Sequence, residues 1–343
     1  MLPEPSAWDA LGAAIDELRA ELRGAAPDEP AAEEGEAYLM RVTTAALTDG
    51  FLGHLQAEAG LSRALPVKGG PNPDYLMYHA VMDPARRYRL AGRLNASERV
   101  GVGLYAVGGG VSLPEAYAVF NAASVDENGV FALDLAAGAT GPATLPITPA
   151  SRVLLIRILH RRPQTTPCSL TLTGGAAPRG LTPAGGNAER ALTMAAQATL
   201  RGVRQFLQWS RLTCANPNRF TAAPPPIAAE VQGDPDTTYR LGYYDLAEGE
   251  WLEATIPAGI PGYWSLHAYN HWCEYLPGAS AHDLGASADA DGRIRVRIGP
   301  ALAANLANRV DTLGRRRGVL IFRTIGAAAA AVPEAQLRRS MLR

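Results

Sequence analysis

The chain has 343 residues, an apolar share of 47% and a formal net charge of −1. This length exceeds one ordinary core and predicts two packed domains, and the near-zero charge excludes the basic field that nucleic-acid binding needs. The widely spaced Cys168, Cys214 and Cys273 form neither a zinc pattern nor a disulfide framework. With no signal-peptide pattern and no apolar run of about 18 residues, we expect a cytoplasmic protein with no membrane association.

The N-terminal part of the sequence has helical patterns. Ser6 followed by Asp9 predicts a capping box that opens a helix over about 7–23. Pro27-Asp-Glu-Pro30 ends this helix, and helical periodicity resumes over roughly 31–58.

Short strand patterns separated by Gly, Pro, Asn and Asp follow, and their spacing favours antiparallel sandwiches over βαβ units. A helix predicted from an Asn187 cap to about Cys214 interrupts them, and Asp291-Gly292 is typical of a hairpin. The predicted fold class is α+β, mainly β, with two antiparallel β-sandwich or jelly-roll-like domains, a helical N-terminus and a helical connector. The predicted segments are a helical N-terminal segment 1–65, a first β-sandwich 66–180, a helical connector 181–225, a second, jelly-roll-like β-sandwich 226–330 and a C-terminal tail 331–343.

The run Gly262-Tyr-Trp-Ser-Leu-His-Ala-Tyr-Asn-His271 predicts one strand with two unlike faces. Successive side chains of a strand alternate between its sides. One face therefore carries the core-forming Trp264, Leu266 and Ala268. The other face carries the polar residues Tyr263, Ser265, His267 and Tyr269, with His271 next in phase. Such a face could line a polar, aromatic cavity.

Two imidazoles and a phenol within five residues could act as base, acid and orienting group. The candidate catalytic residues are therefore His267, Tyr269 and His271. A metal ion is a less favoured alternative, with Glu274 or Asp283 completing a zinc-like ligand set. The competing structural interpretation is that the imidazoles hydrogen-bond locally inside a sandwich.

Two segments of the sequence resemble motifs of one known family. The first is Asn72-Pro-Asp74-Tyr-Leu-Met-Tyr78, leading to Tyr88-Arg89-Leu90 and Gly92-Arg93. The second contains Tyr263-Trp-Ser-Leu, Ala290-Asp-Gly292, Asn308-Arg-Val-Asp-Thr-Leu-Gly314 and Gly318-Val-Leu-Ile-Phe-Arg323. These residues resemble the uncharacterised bacterial family called domain of unknown function 1214, which often accompanies the domain of unknown function 1254. The resemblance implies paired β-sandwich domains with helical decoration and implies no activity.

The chain departs from that family at two places. Arg309 stands where relatives tend to have a tryptophan, and His282-Asp-Leu-Gly285 replaces an expected serine-leucine-asparagine motif.

The family-like motifs add further candidates. Asp311 could orient a histidine as a fourth catalytic residue, and Arg316 could clamp an anionic group in a bidentate fork. The competing interpretation is a turn-forming Asp and a solvated Arg. His79 belongs to the first motif and could face a cavity or a core. The predicted substrate-binding residues are Tyr263, Ser265, Arg316, His79 and Trp264.

The sequence does not support a dinucleotide-binding site. Gly101-Val-Gly-Leu-Tyr-Ala106 imitates a dinucleotide fingerprint, but it lies within a predicted strand and no helix follows it. We therefore expect an enzyme without an organic cofactor that acts on a small molecule by acid–base chemistry, as a lyase, isomerase or hydrolase. The alternative functions are a small-molecule carrier and a protein-assembly module. The sequence is also compatible with a homo-oligomer.

Overall fold

The computed structural model describes residues 6–51, 60–63, 69–108, 111–174, 188–224, 227, 233–300, 302–326 and 333–339. The chain divides into two compact units. Unit 1 comprises Met1–Ala14, Thr43–Val67 and Pro73–Thr199, and unit 2 comprises Ile15–Val42, Lys68–Asn72 and Leu200–Arg343. The segments predicted as a separate helical N-terminus and connector thus contribute residues to both units.

The helices of the described part are α1 (Ala7–Ala25), α2 (Glu29–Gly50) and α3 (Ala188–Cys214). The capping box predicted for α1 is confirmed, because Asp9 N donates to Ser6 Oγ at 3.2 Å and Ser6 N donates to the Asp9 carboxylate at 2.8 Å. The last residues of the predicted helix 31–58 and the Asn187 cap lie outside the described residues.

The strands of unit 1 are β1 (Ser62–Arg63), β2 (Tyr75–Val81), β3 (Tyr88–Arg93), β4 (Arg99–Gly108), β5 (Val111–Asn121), β6 (Val130–Ala137), β7 (Thr144–Ile147), β8 (Ser151–Leu159) and β9 (Ser169–Gly174). Those of unit 2 are β10 (Phe220–Ala222), β11 (Thr237–Asp245), β12 (Glu250–Pro257), β13 (Trp264–Tyr269), β14 (Tyr275–His282), β15 (Arg293–Gly299), β16 (Arg309–Asp311), β17 (Arg317–Ile325) and β18 (Glu334–Arg339).

The two units repeat one sandwich topology. Unit 1 has a five-stranded sheet of order β1-β2-β8-β4-β5 and a four-stranded sheet of order β7-β6-β3-β9. Unit 2 has the orders β10-β11-β17-β13-β14 and β16-β15-β12-β18, which are identical once strands are counted from the start of each unit. Each four-stranded sheet also holds one short parallel pair, β6 with β7 and β15 with β16. The chain is therefore an internal structural duplication, which no short sequence repeat signals.

Each unit buries an apolar core supplied by alternate side chains of both its sheets. In unit 2 these residues include Trp264 and Leu266 of β13, Phe322 of β17 and Val296 of β15. A helical cluster in the same unit packs parts of α1, α2 and α3 around Trp272. The predicted mainly β, two-sandwich fold class is confirmed.

Two local predictions need correction. The predicted tail 331–343 contains β18, which pairs with β12 and so extends a sheet. Asp291-Gly292 does form a turn, in which Gly292 N bonds the Asp289 carbonyl oxygen at 3.0 Å. The strands it joins, β14 and β15, belong to different sheets, so the turn does not close a hairpin.

Candidate functional site

The face of β13 that points away from the sandwich core carries a buried polar cluster. We define the polar cluster as Tyr263, Ser265, His267 and Tyr269 together with Arg323 of the neighbouring strand β17. Ser265, His267 and Tyr269 have no exposed surface, and Arg323 is 3% exposed. The predicted grouping of Tyr263, Ser265, His267 and Tyr269 on one side of the chain is thus found in the structure.

Strand register brings Arg323 into this cluster. Arg323 lies opposite Ser265 of β13 and opposite Tyr239 of β11. Its Nη1 donates to the Tyr269 hydroxyl at 2.8 Å and approaches His267 Nδ1 at 3.5 Å. The guanidinium also lies 5.7 Å from the ring centres of both Tyr239 and Tyr269, within the range of cation–π attraction.

A short segment of unit 2, residues 69–72, supplies backbone and amide groups to the cluster. Arg323 Nη2 donates to the Gly70 carbonyl oxygen at 2.6 Å, and the Tyr269 hydroxyl donates to the Pro71 carbonyl oxygen at 2.8 Å. Asn72 Nδ2 donates to the Tyr263 hydroxyl, also at 2.8 Å. The segment therefore fixes the orientation of three of the cluster's polar side chains.

Both the backbone conformation and the close packing of side chains require glycine at position 70. Its φ of +66° lies in the left-handed region. A Cβ there would come within 2.8 Å of Ile321 Cδ1 and 3.0 Å of Cys273 Sγ. This close approach is what lets the Gly70 carbonyl oxygen reach Arg323.

Burial and charge set the protonation of the cluster. Burial, and then the adjacent charge of Arg323, hold the pKa of His267 well below its usual range. Burial raises the pKa of the Tyr269 phenol, although Arg323 opposes this rise. At neutral pH the cluster thus holds a neutral imidazole, a neutral phenol and a cationic guanidinium.

The neighbouring thiol is not an activated nucleophile. Burial raises the pKa of Cys273 to about 12. The thiol is therefore protonated at neutral pH and lacks the thiolate that nucleophilic attack requires.

Partly exposed aromatic side chains border the buried cluster. The Tyr275 ring centre lies 5.7 Å from that of His267 and 6.1 Å from that of Tyr269. Tyr239 and His282, on strands at either side, are also partly exposed. We call Tyr239, Tyr275 and His282 the rim.

His271 does not join the polar cluster. Strand β13 ends at Tyr269, and His271 lies in the turn that follows. Its Nδ1 bonds the Tyr243 hydroxyl at 2.8 Å and its ring also bonds the Ala25 backbone. Burial lowers the pKa of His271 to about 4. The structure thus gives this histidine the local hydrogen bonds of the structural interpretation.

Two other predicted residues lie elsewhere in unit 2. Asp311 is on β16, in the opposite sheet, where its Oδ1 accepts from Leu313 N at 2.8 Å in a turn. Arg316 is exposed and lies immediately before β17. The structure places both in the roles of the competing interpretation, a turn-forming Asp and a solvated Arg, and Arg323 is the cation in the cluster.

Trp264 and His79 also lie outside the polar cluster. Trp264 is 2% exposed and points into the unit 2 core, where its ring centre is 6.1 Å from that of Phe322. His79 belongs to β2 of unit 1, and burial lowers its pKa. Its Nε2 is buried and has no hydrogen-bond partner within the described ranges.

Unit 1 contains a counterpart of the Arg323–Tyr269 pair. Arg157 of β8 lies opposite Gly101 of β4, as Arg323 lies opposite Ser265. Arg157 Nη1 donates to the Tyr105 hydroxyl at 3.0 Å.

The two units differ at two positions of the strand that pairs with the arginine strand. In unit 1, Gly101 and Gly103 of β4 occupy the positions that Ser265 and His267 of β13 occupy in unit 2. A Cβ at Gly101 would lie 2.1 Å from the Tyr117 hydroxyl oxygen, so a phenol fills the space of the serine side chain. The sequence that imitates a dinucleotide fingerprint is thus the unit 1 equivalent of the site strand.

Other features of the described residues do not add a site. A groove of about 420 Å³ in unit 1 is lined by Arg87, Tyr88 and residues 134–139, and includes no predicted site residue. In the described ranges, no three His, Cys, Asp or Glu side chains gather as metal ligands would. Nor does any described helix combine the length and apolarity needed to cross a membrane.

Arg323 is a residue of the polar cluster that was not among the predicted site residues, although it lies in a family-like motif. The signal was its phase in Val319-Leu-Ile-Phe-Arg323, where it shares a face with Val319 and Ile321. A lone arginine in phase with apolar side chains marks a buried cation rather than a solvated one.

Comparison with known proteins shows the fold alone. No family model and no curated protein matches the chain. The structure is similar to that of an uncharacterised protein from Burkholderia cenocepacia, with a TM-score of 0.85 and 24% identity over 97% of this chain and 96% of that one. It also resembles the VPA0106 protein from Vibrio parahaemolyticus, with a TM-score of 0.50 and 14% identity over 88% and 97% of the respective chains.

Proposed function

We propose that the protein is an enzyme that moves a proton on a small organic molecule, using the polar cluster of unit 2 and no organic cofactor. The observation that carries this proposal is the contact between a buried, neutral His267 and a buried, cationic Arg323, 3.5 Å apart. A base beside a fixed positive charge is an arrangement that can take a proton and stabilise the negative charge that results.

The chemistry follows from these protonation states. A neutral imidazole keeps one nitrogen lone pair, whichever ring nitrogen carries the hydrogen. His267 would take a proton from carbon next to a carbonyl group. The electron pair of that C–H bond would move to the carbonyl oxygen and form an enolate. Arg323, held in place by the Tyr269 phenol, would stabilise the enolate oxygen, and the protonated imidazole would return the proton.

Isomerase and lyase reactions both begin with this step, so these two classes fit the site better than hydrolysis through a covalent intermediate. A hydrolase of that kind needs an activated side-chain nucleophile. In the polar cluster Ser265 Oγ accepts a hydrogen bond of 2.7 Å from Tyr263, and no contact in the described part of the chain joins it to an imidazole. The resemblance to the domain of unknown function 1214 remains a proposal about ancestry and adds no activity.

The proposal is tested by proton exchange, which requires no knowledge of the natural product. The protein is incubated in D₂O with a panel of small ketones and keto acids, and loss of the α-proton signal is followed by NMR. We expect exchange on at least one compound, and a loss of roughly 100-fold or more in the His267→Gln variant.

His160→Gln is the matched control, because His160 is also buried but lies in unit 1 and bonds Ser97. It should exchange at the wild-type rate. Binding without exchange across the whole panel would overturn the proposal and favour the carrier alternative. Exchange that survives His267→Gln would exclude His267 as the base.

A further inference from the structure

The surroundings of Arg323 indicate the chemical class of the substrate, on the premise that the polar cluster is the site of the proposed function. Arg323 is buried, yet the groups that accept its hydrogen bonds are neutral. They are the Tyr269 hydroxyl at 2.8 Å and the Gly70 carbonyl oxygen at 2.6 Å. Among the described residues, no carboxylate lies within ion-pair distance of this guanidinium.

Three arginines of unit 2 that are more exposed than Arg323 each pair with a carboxylate. Arg315 pairs with Glu34 at 2.5 Å, Arg317 pairs with Asp245 at 2.9 Å, and Arg338 pairs with Glu253 at 2.9 Å. Burial of a charge is costly unless an opposite charge compensates it. The arginine that most needs a carboxylate is therefore one that receives none from the described protein groups.

The duplication shows which part of this arrangement belongs to the fold. The arginine–tyrosine hydrogen bond occurs in both units, so it is a feature of the common scaffold. In unit 1 the Tyr117 side chain fills the space beside Gly101. In unit 2 the residue at the Tyr117 position is the smaller Ser280, which lies opposite His267. Only unit 2 thus combines the buried arginine with a base and a small residue beside it.

We infer that Arg323 binds the carboxylate group of a small carboxylic acid and holds its neighbouring carbon beside His267. A planar guanidinium and a planar carboxylate match in shape and charge, and such pairs form two parallel hydrogen bonds. The rings of Tyr239 and Tyr269, each 5.7 Å from the guanidinium, restrict its plane. The partly exposed rim residues Tyr239 and Tyr275 offer aromatic surface to the rest of the molecule.

The test compares each carboxylate with its neutral isostere on the wild-type protein. Acetate, propionate and benzoate are titrated by calorimetry, each beside its primary amide. We expect at least one carboxylate to bind at least tenfold more tightly than its amide. Equal binding of the pair, or binding by no member of the panel, would overturn the inference without any variant.

Variants then locate the site. Arg323→Gln should weaken the carboxylate at least tenfold, whereas Arg157→Gln, its unit 1 equivalent, should leave the affinity unchanged. If Arg323→Gln does not fold, the site is tested on the wild-type protein instead, by the change that the carboxylate causes in the NMR chemical shift of the Arg323 guanidinium. A carboxylate that leaves that signal unmoved would contradict the inference.

The same samples separate this inference from the proposed function. His267→Gln should keep carboxylate affinity within a few-fold, because it removes the base and retains the guanidinium. Carboxylate binding without proton exchange would support the inference and contradict the proposed enzyme. Exchange on ketones that lack a carboxylate, together with equal binding of each carboxylate and its amide, would support the enzyme and contradict the inference.

Discussion

Arg323 and Tyr269 form a buried cation–phenol pair in which Arg323 Nη1 donates to the Tyr269 hydroxyl at 2.8 Å. The Tyr269 hydroxyl in turn donates a hydrogen bond to the Pro71 carbonyl oxygen, also at 2.8 Å. The pair thus links β17, β13 and the segment 69–72 within unit 2. Its counterpart, Arg157 with Tyr105, has the same donor and acceptor at 3.0 Å.

Tyr269→Phe should destabilise the protein by about 1–3 kcal/mol, because it removes an acceptor from buried Arg323 and a donor from the Pro71 carbonyl oxygen. Urea unfolding measures this change. Tyr105→Phe should also destabilise, since it removes the same acceptor from Arg157. Only Tyr269→Phe should slow proton exchange, and an unchanged free energy of unfolding in Tyr269→Phe would contradict the role given to the pair.

Gly70→Ala should cost more stability than an alanine at another left-handed glycine. The new Cβ would meet Ile321 and Cys273 at 3.0 Å or less, and overpacking of this kind costs about 1–3 kcal/mol. Gly259→Ala is the matched control, because Gly259 has a φ of +83° with nothing within 4 Å of the added Cβ. Equal free energies of unfolding in the two variants would show that the backbone of residues 69–72 shifts to accommodate the added Cβ without a cost in stability.

Stability should fall in acid partly through His271. Its pKa is lowered from 6.5 to about 4 in the folded protein, mainly by burial. Between these values the unfolded chain binds a proton that the folded chain does not. The free energy of unfolding should therefore be highest above pH 6.5 and decline by about 3 kcal/mol as pH falls to about 4.

Urea unfolding at a series of pH values measures this loss. The slope should be shallower in His271→Gln, which removes the titrating ring. His267 contributes a loss of the same sign, because its pKa is also lowered. An identical slope in His271→Gln and wild type would assign the acid sensitivity to other groups.

Carboxylate binding should raise the pKa of His267. Burial and the charge of Arg323 hold this pKa down in the free protein, and a bound carboxylate would neutralise part of that charge. A pH titration of the His267 ring by NMR, with and without benzoate, measures the shift. Benzamide should have no such effect, and a pKa that benzoate lowers would place the ligand away from Arg323.

Local patterns in the sequence were reliable where the physical cause was local. The Ser6–Asp9 capping box depends on groups within one helical turn, and it forms as predicted. The alternation through Trp264, Ser265, Leu266 and His267 depends on the strand alone, and the two faces separate as expected. The mainly β fold class follows from many such short alternating segments.

Predictions that needed a partner strand or a neighbouring turn were less successful. His271 continues the phase of His267 in the sequence, but the strand ends at Tyr269 and a turn redirects the ring toward Tyr243. Arg316 and Arg323 are both arginines, and the residue type alone does not distinguish them. Register alone decides that Arg323 lies opposite Ser265 while Arg316 stays in solvent.

The sequence by itself determined the main helices, many of the strands and the polar side of β13, because each depends on contacts between residues near one another in the chain. Only the tertiary structure decided the duplicated topology and the composition of the polar cluster. Pairing between distant strands brought Arg323 to His267, and the backbone of residues 69–72 completed the hydrogen bonds. Those contacts join segments far apart in the chain, and no local spacing of residue types encodes them.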